Sequence, residues 1–281
     1  MKKLLAILGF ILVMITCSAR IYRDTYHFKL KEVFLSSGKL PKGEMLSVLQ
    51  ISDLHDHVFG PDNKQLIRTV KQADPDLIVL TGDLIDRKTT SFSNVLSLID
   101  QLIAINKHIY FVPGNHEWGN NRTNAFLSSL YARGITILAN RNVQLTKRGL
   151  TVNLAGTDDP ATERDNLDDA FCGLTSSHYT ILLAHAPEIV TIADSIPADL
   201  ILSGHTHGGQ VRFPFIGALV APGQGVYPKL DKGTYQLGPE QYVYIDSGLG
   251  TTRLPIRFLN QSQLSLVTIT GKPEISFEQP D

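Results

Sequence analysis

The chain has 281 residues, of which 43% are hydrophobic and 19% are charged. This composition is typical of a globular protein with a sizeable core, and it excludes disorder as the main state. The 26 basic and 27 acidic residues give a formal net charge of −1, which argues against a nucleic-acid binder with a broad basic surface. A disulfide framework is also excluded, because there are only two cysteines and one, Cys17, lies in an apolar N-terminal run.

The first predicted element is an apolar N-terminal helix. Two lysines precede an apolar run from Leu4 to Ile15, a pattern that suits a signal sequence and falls short of the roughly 20 residues of a full membrane span. We interpret residues 1–19 as an uncleaved signal anchor, with a cleaved signal peptide as the main alternative and lipidation at Cys17 as a third. The N-terminus is expected inside, so the remaining chain is predicted to be extracytoplasmic at the cell membrane, or secreted if the signal is cleaved.

Helical and strand periodicities alternate in the first half of the chain, and strands dominate the second. A connecting segment with one strand is predicted for 20–45, one large domain for 46–270 and a tail for 271–281. Helical spacing of apolar residues predicts helices at 63–72, 92–105 and 123–133. Apolar runs predict strands at 46–51, 77–80, 108–112, 135–138, 143–145, 150–155, 180–184, 200–203, 242–246 and 264–269. This order predicts an α/β fold with mixed sheets covered by helices.

Five clusters of metal-ligating residue types follow predicted strands. They are Asp53-Leu54-His55, Gly82-Asp83, Gly114-Asn115-His116, His185 and Gly204-His205-Thr206-His207. In open α/β sheets, ligands bind beyond the carboxyl ends of strands. The set is too large for one tetrahedral zinc site, but it suits two divalent metal ions that share a ligand; imidazole and carboxylate fit manganese, iron or zinc. The glycines before Asp83, Asn115 and His205 are expected to allow sharp turns. The other four histidines lack such neighbours and are interpreted as packed or surface residues: His27, His57, His108 and His178.

This order of clusters resembles the calcineurin-like metallophosphoesterases, whose pattern DxH, GD, GNH, H and GHxH is complete over residues 46–270. The N-terminal segment and the stretch 204–210 are similar to the YkuE-like branch, which contains membrane-associated bacterial enzymes. A related branch hydrolyses the pyrophosphate of UDP-diacylglucosamine. The resemblance implies a metallophosphoesterase sandwich of two mixed β-sheets flanked by α-helices.

The resemblance also implies a role for each ligand. Seven residues would hold two divalent ions. Asp53, His55 and His207 would bind one ion, Asn115, His185 and His205 would bind the other, and the carboxylate of Asp83 would bridge them. Manganese is the expected metal, with iron or zinc as alternatives. Two ions about 3.5–4 Å apart lower the pKa of a bridging water, which then attacks phosphorus in line, and they clamp the phosphoryl oxygens.

Three further residues are implied to act on the substrate or on each other. His116, next to the ligand Asn115, would protonate the leaving oxygen or stabilise the transition state. Asp86 and Arg87 lie in a GDxxDR stretch that resembles the Ser/Thr protein phosphatases. There the Asp would orient the histidine and the Arg would face the phosphate. A solvated loop pair is the alternative for these two residues.

Together these features predict a two-metal phosphohydrolase that acts on phosphodiesters or pyrophosphates, of phosphorylated small-molecule, lipid or nucleotide-sugar type. The membrane is the expected partner through the N-terminal segment, and no nucleic acid is expected. A broad phosphomonoesterase or nucleotide phosphatase would use the same ligands, and a metal-binding scaffold would be expected to lack some of them. A zinc amidohydrolase is disfavoured, because there the His-x-His opens the domain.

Two features leave their interpretation open. Glu117, next to His116, either shapes the site or packs. The apolar stretch 213–220, after the last metal motif, either contacts an acyl chain or the membrane surface or is a packed loop.

Overall fold

The structure is a computed structural model that describes residues 1–147, 149–193 and 195–272. Most of the predicted tail, residues 273–281, lies outside the described residues. The α-helices are α1 Lys2–Tyr26, α2 Lys64–Ala73, α3 Ser93–Ile103, α4 Asn115–Trp118, α5 Thr123–Tyr131, α6 Leu167–Phe171 and α7 Ile189–Ile192. Short 3-10 helices lie at Pro61–Asn63, Pro160–Thr162 and His207–Gly209.

The strands agree with the predicted runs within a few residues at each end, with short additional strands in the second half. Those of the first half are β1 Lys29–Ser37, β2 Met45–Ile51, β3 Leu77–Thr81, β4 Ile109–Val112, β5 Thr136–Ile137, β6 Arg141–Lys147 and β7 Leu150–Gly156. Those of the second half are β8 Tyr179–Leu183, β9 Leu200–Ser203, β10 Arg212–Phe213, β11 Gly217–Ala218, β12 Val220–Ala221, β13 Gly225–Val226, β14 Gly233–Gly238, β15 Gln241–Ile245 and β16 Gln263–Gly271.

Helix α1 runs seven residues beyond the predicted end of the anchor at Ala19. Over its most apolar window it has a mean hydropathy of 2.3, and none of that window is buried against the protein. At 1.5 Å per residue it is about 38 Å long, enough to cross a hydrocarbon core of about 30 Å. By length and composition it suits a membrane span, as the helix of a signal sequence also would. Its last turns are polar and are joined by an ion pair between Arg20 and Asp24, with Nε and Oδ2 2.8 Å apart.

Two mixed sheets, each six-stranded within the described residues, form the centre of the fold. The first has the order β1-β16-β2-β3-β4-β5, and the second has the order β14-β15-β9-β8-β7-β6. In the first sheet β2, β3, β4 and β5 are parallel, while β16 runs antiparallel to β2. In the second, β7, β8, β9 and β15 are parallel, with β6 and β14 antiparallel at the edges. The connecting segment thus supplies β1, which pairs with β16 along its whole length.

Three hydrophobic clusters show that the sheets stack face to face with helices outside. One cluster lies between the sheets and contains Val79 of the first and Ile181 of the second. Another packs the outer face of the first sheet, with Leu80, against Phe126 of α5. A third covers the outer face of the second sheet and includes Ile189 of α7. Because side chains alternate along a strand, adjacent residues such as Val79 and Leu80 enter different layers. The predicted sandwich of two mixed sheets flanked by helices is confirmed.

Candidate metal centre

The five predicted clusters come together where parallel strands of the two sheets end. Asp53 and His55 follow β2, Asp83 follows β3, and Asn115 opens α4 after β4. His185 follows β8, and the stretch 205–207 follows β9. Parallel neighbours end at the same edge of a sheet, so ligands that are far apart in sequence become neighbours in space.

Many of these side chains sit on a strained backbone. Left-handed φ angles occur at five ligand positions of these loops: Asp53 (51°), His55 (48°), Asp83 (53°), His205 (68°) and His207 (50°). A residue with a Cβ is held in this region at a cost of about 1 kcal/mol or more. Such strain persists only where surrounding contacts impose it, and it is concentrated at functional sites.

The glycines beside the ligands are required for space more than for turns. Gly82 does have a left-handed φ of 83°, and a Cβ there would lie 2.5 Å from Nδ1 of His185. Gly114, however, is extended, with φ −108° and ψ −177°. A Cβ on Gly114 would collide with the Asp83 carboxylate, and one on Gly204 would collide with Ser52. The expectation of sharp turns therefore holds for Gly82, while Gly114 and Gly204 make room for buried polar side chains.

One triad of ligand atoms consists of Asp53, His55 and His207, whose potential donor atoms all lie within 4.8 Å of one another. The two imidazole Nε2 atoms are 3.2 Å apart, and Nε2 of His207 lies 3.5 Å from Oδ1 of Asp53. Asp53 is held in place by Ser52, whose hydroxyl donates to Oδ2 at 2.5 Å, and by the backbone N–H of His205, which donates to Oδ1 at 3.0 Å. Asp53 therefore joins the edges of the two sheets.

A second group combines Asp83, His185 and His205 within the same 4.8 Å limit. Asp83 lies between the two groups, because its Oδ2 is 3.3 Å from Nε2 of His185 and 3.7 Å from Nε2 of His55. Nδ1 of His185 is 2.8 Å from the carbonyl oxygen of Thr81, a contact that turns Nε2 toward the carboxylate.

The pKa values of these groups reflect the burial of many charges in one place. Burial raises the pKa of Asp53 to about 7, and it lowers the pKa of His55 to about 4 and that of His205 to about 3. Burial alone would lower the pKa of His185, but the carboxylate of Asp83 beside it raises that pKa well above its usual value. Neutral imidazoles and ionised carboxylates are the forms that bind metal, so a divalent cation would replace the shared proton between Asp83 and His185.

An unpartnered oxygen of the site also fits a metal ion. Oδ1 of Asn115 is buried and has no hydrogen-bond partner within the described residues. A buried polar atom without a partner costs about 1–3 kcal/mol. The His/Asp clusters therefore offer sites for divalent metal ions, and the neighbouring amide of Asn115 adds an uncharged oxygen.

Of the three residues predicted to act on the substrate or on each other, His116 and Asp86 lie beside His55. The ring of His116 packs edge-on against that of His55 with centroids 4.6 Å apart, and its backbone N–H donates to Oδ1 of Asp83 at 2.8 Å. Oδ1 of Asp86 lies 3.6 Å from Nδ1 of His116, longer than a hydrogen bond, and its side chain is 41% exposed. Arg87 is exposed, and the stem of its side chain lies over Gly119.

Glu117 has a structural role that the sequence left open. Its carboxylate is fully buried and accepts four backbone hydrogen bonds: from Gly114 and Asp83 at 2.8 Å each, from Leu84 at 2.7 Å and from Ile85 at 3.2 Å. These N–H groups belong to the loops after β3 and β4. Glu117 therefore fixes the loop of Asp83 against that of Asn115, and its position directly after His116 was the only signal in the sequence.

A buried arginine and a buried asparagine hold the backbone around His207 in place. Arg257 is fully buried, and its guanidinium donates to the carbonyls of Ser247 at 2.6 Å and Gly250 at 2.6 Å. The amide of Asn260 donates to the carbonyl of His207 at 2.7 Å. No periodicity or motif distinguishes these residues in the sequence, so the sequence analysis missed them.

Comparison with known proteins agrees with the family resemblance seen in the sequence. A family profile described as calcineurin-like phosphoesterase matches residues 46–209. The uncharacterized metallophosphoesterase YkuE of Bacillus subtilis is 32% identical over 255 residues, which cover 88% of this chain and 87% of that protein. The uncharacterized metallophosphoesterase YkoQ of the same bacterium is 30% identical over 277 residues, 96% of each chain. A Bos taurus transmembrane protein with metallophosphoesterase domain is 29% identical over 255 residues, which cover 83% of this chain and 55% of that protein.

Replacement of Glu117 by Gln tests its role in holding the two loops. An amide nitrogen in place of one carboxylate oxygen leaves two buried backbone N–H groups without an acceptor, so the free energy of unfolding is expected to fall by about 2–4 kcal/mol. Urea unfolding of the detergent-solubilised chain measures this change. Glu32→Gln, on an exposed position of β1, is the control and should change it by no more than about 0.5 kcal/mol. Equal effects of the two changes would contradict the assignment.

Proposed function

Because the chain belongs to the calcineurin-like phosphoesterase family and is therefore a metal-dependent hydrolase of phosphoester bonds, we propose that it cleaves phosphodiester or pyrophosphate bonds with two metal ions. One observation carries the proposal: the buried carboxylate of Asp83 lies between two groups of ligand atoms. A carboxylate has two oxygens and can serve two cations at once, which is the arrangement that a two-metal site requires.

The proposed ligands follow the two groups. Asp53, His55 and His207 would hold one ion. Asn115, His185 and His205 would hold the other, and Asp83 would bridge the two ions. When bound, two divalent ions would supply an activated water and neutralise the phosphoryl oxygens. Manganese is proposed, because imidazole with carboxylate and amide oxygens is a ligand set that suits it; iron and zinc share that chemistry.

His116 is proposed to give a proton to the leaving oxygen. Its ring stands beside both ligand groups and is 13% exposed, so the imidazole can reach a bound phosphoester while water has little access. Burial lowers the pKa of His116, which the carboxylates of Asp83 and Asp86 oppose. Asp86 is proposed as a positioning residue for His116, because the negative charge of a carboxylate 3.6 Å from Nδ1, beyond hydrogen-bond range, favours a proton on that side of the ring.

Arg87 is proposed to bind a phosphoryl oxygen of the substrate. It follows Asp86 in the same loop, and its side chain is exposed. A guanidinium presents a planar fork of donors that matches phosphate oxygens. Asn120 keeps this loop in place by donating to the carbonyls of Asp86 and Thr89 at 2.9 Å each.

The proposed substrates are lipid-linked or nucleotide-sugar-linked, and the proposed location is the membrane, with the catalytic domain outside the cytoplasm. The unburied apolar helix α1 supports the location, and so does the similarity to the bovine transmembrane protein. An enzyme held at a membrane meets phosphoesters whose acyl chains confine them to the same surface.

Metal removal tests the reaction class and the number of ions. The full chain in detergent is stripped with a chelator, and manganese, iron, zinc or magnesium is added back. We expect about two ions per chain by elemental analysis and metal-restored hydrolysis of bis-p-nitrophenyl phosphate in preference to p-nitrophenyl phosphate.

Asp83→Asn should lose at least one of these ions, whereas the exposed Asp168→Asn should keep both. Faster hydrolysis of the monoester than of the diester would contradict the proposed diesterase activity and support the alternative, a phosphomonoesterase. One ion per chain in the wild type would contradict the two-metal proposal.

The role of His116 is tested by His116→Ala. Loss of the proton donor should lower kcat by about 10²–10⁴-fold, while the bound metal and the unfolding midpoint remain those of the wild type. His108→Ala, which changes an exposed histidine outside the clusters, is the control. A kcat equal to that of the control would refute the assignment.

Arg87→Ala should weaken substrate binding through the lost phosphate contact. We expect KM to rise about tenfold, which corresponds to about 1.4 kcal/mol, and Arg87→Lys to restore only part of the loss. Lys88→Ala, at the exposed neighbouring position, serves as the matched control. If both alanine variants have the same KM, Arg87 belongs to a solvated loop and takes no part in binding.

A further inference from the structure

An exposed apolar surface lies directly after the loop of His207. It is formed by two short hairpins, β10–β11 and β12–β13, and its six large side chains define what we call the hairpin surface: Phe213, Phe215, Ile216, Val220, Val226 and Tyr227. Phe215, at the tip of the first hairpin, has no part of its side chain covered, and the other five are 40–67% exposed. The stretch is therefore not the packed loop that was one of its two interpretations.

The hairpins bury their small residues and expose their large ones. Ala218 and Ala221 are buried at 4% and 2% exposure, whereas Val220 between them is 55% exposed. A loop that folds only on its own protein would place the larger apolar side chains inward. Large apolar side chains exposed together on two successive hairpins are typical of an interaction site.

The hairpin surface and α1 are attached to the same short segment, 257–262. On one side, the N–H of Arg212 donates to the carbonyl of Phe258 at 2.9 Å. On the other, the N–H of Arg257 donates to the hydroxyl of Thr25 at 2.8 Å, and the N–H of Ser262 donates to the carbonyl of Asp24 at 2.8 Å. The end of the apolar helix is thus fixed to the base of the hairpins, with no flexible linker between them.

Charge and aromatic residues around this region fit a lipid surface. The stretches 210–230 and 247–260 contain no acidic residue and include the exposed basic residues Lys229 and Arg253; of the acidic groups beside them, Asp231 is paired with Arg212 and Glu188 lies against Gly223. Basic side chains near a membrane are attracted to anionic headgroups. The last turns of α1 expose Tyr22 and Tyr26, residues of the type that collects at the boundary between acyl chains and water.

We propose that the hairpin surface inserts into the bilayer that holds α1, as a second membrane contact of the same chain. The loop of His207 runs directly into β10, so this contact holds the metal centre beside the lipid headgroups. The proposal rests on the membrane location given under Proposed function, and it is independent of whether the chain hydrolyses anything. The bilayer is the proposed occupant because α1, which is fixed to the base of the hairpins, is the helix proposed to cross it.

Quenching of tryptophan fluorescence by brominated lipid tests this contact on the full-length chain. Phe215→Trp and, on the second hairpin, Val226→Trp are each reconstituted into vesicles of phosphatidylcholine and phosphatidylglycerol. The phosphatidylcholine is either unlabelled or brominated near the top of its acyl chains. Tyr131→Trp, an exposed aromatic of α5 on the outer face of the first sheet, is the matched control, and the signal of the native Trp118 is subtracted with the wild type.

Insertion of about 5–10 Å places an indole among the bromine atoms, so both hairpin variants should be quenched at least about twofold more than the Tyr131→Trp control. Their quenching by aqueous acrylamide should fall on reconstitution. Hairpin tryptophans that stay open to acrylamide and unaffected by bromolipid would overturn the proposal. So would tryptophans shielded from both quenchers, because a protein surface, such as a second copy, would then cover the hairpins. None of these outcomes depends on activity.

Discussion

Two carboxylates and four imidazoles are withdrawn from water at one edge of the two sheets, and this desolvation constrains the structure around them. Asp53 and Asp83 are 0% and 2% exposed, the side chain of His55 is 2% exposed, and His185, His205 and His207 are at most 6% exposed. Buried ionised carboxylates are unfavourable unless a positive charge lies beside them. Within the chain, the nearest such charge is a proton on His185, which keeps Asp83 ionised while the pKa of Asp53 rises to about 7. Divalent cations meet the same requirement with more charge and leave every imidazole free to act as a ligand.

The surrounding backbone keeps these groups together against strain. Left-handed residues at the ligand positions would relax to ordinary conformations if the loops were free. They are held by bonds between loops: Asp53 N–H donates to the carbonyl of Gly82, and His55 N–H donates to that of Asp83, both at 3.0 Å. Glu117 adds its four accepted bonds between the loops after β3 and β4. The site is therefore a rigid arrangement built mainly from the first sheet, to which the second sheet contributes three histidines.

The sequence predicted the sandwich and the clusters because both depend on local patterns. Buried parallel strands appear as short apolar runs, and the residue after each run marks the edge where ligands collect. The residues that hold the loops of the site in place carry no such pattern. In the sequence, a glutamate exposed to solvent cannot be distinguished from one that, like Glu117, accepts several backbone hydrogen bonds. Helix α1 extends beyond the predicted signal segment 1–19: hydropathy falls at Arg20, while the helix continues to Tyr26 and includes the pair of Arg20 with Asp24. Asp24 itself is buried only because Asn260 and Ser262 meet it in space.

These tertiary contacts connect α1 to the sheet edge that carries the candidate metal centre. Asp24 accepts a hydrogen bond from the backbone of Asn260 at 3.1 Å, and the side chain of Asn260 donates to the carbonyl of His207 at 2.7 Å. A single residue, Asn260, therefore links the last turn of α1 by hydrogen bonds to the loop that carries the proposed metal ligand His207. With α1 in a bilayer, such a short rigid connection sets the direction in which the site opens, because few torsions remain between helix and loop. A phosphoester confined to the same membrane would then meet the site by lateral diffusion in one orientation, and this restriction is the physical reason for proposing lipid-linked substrates.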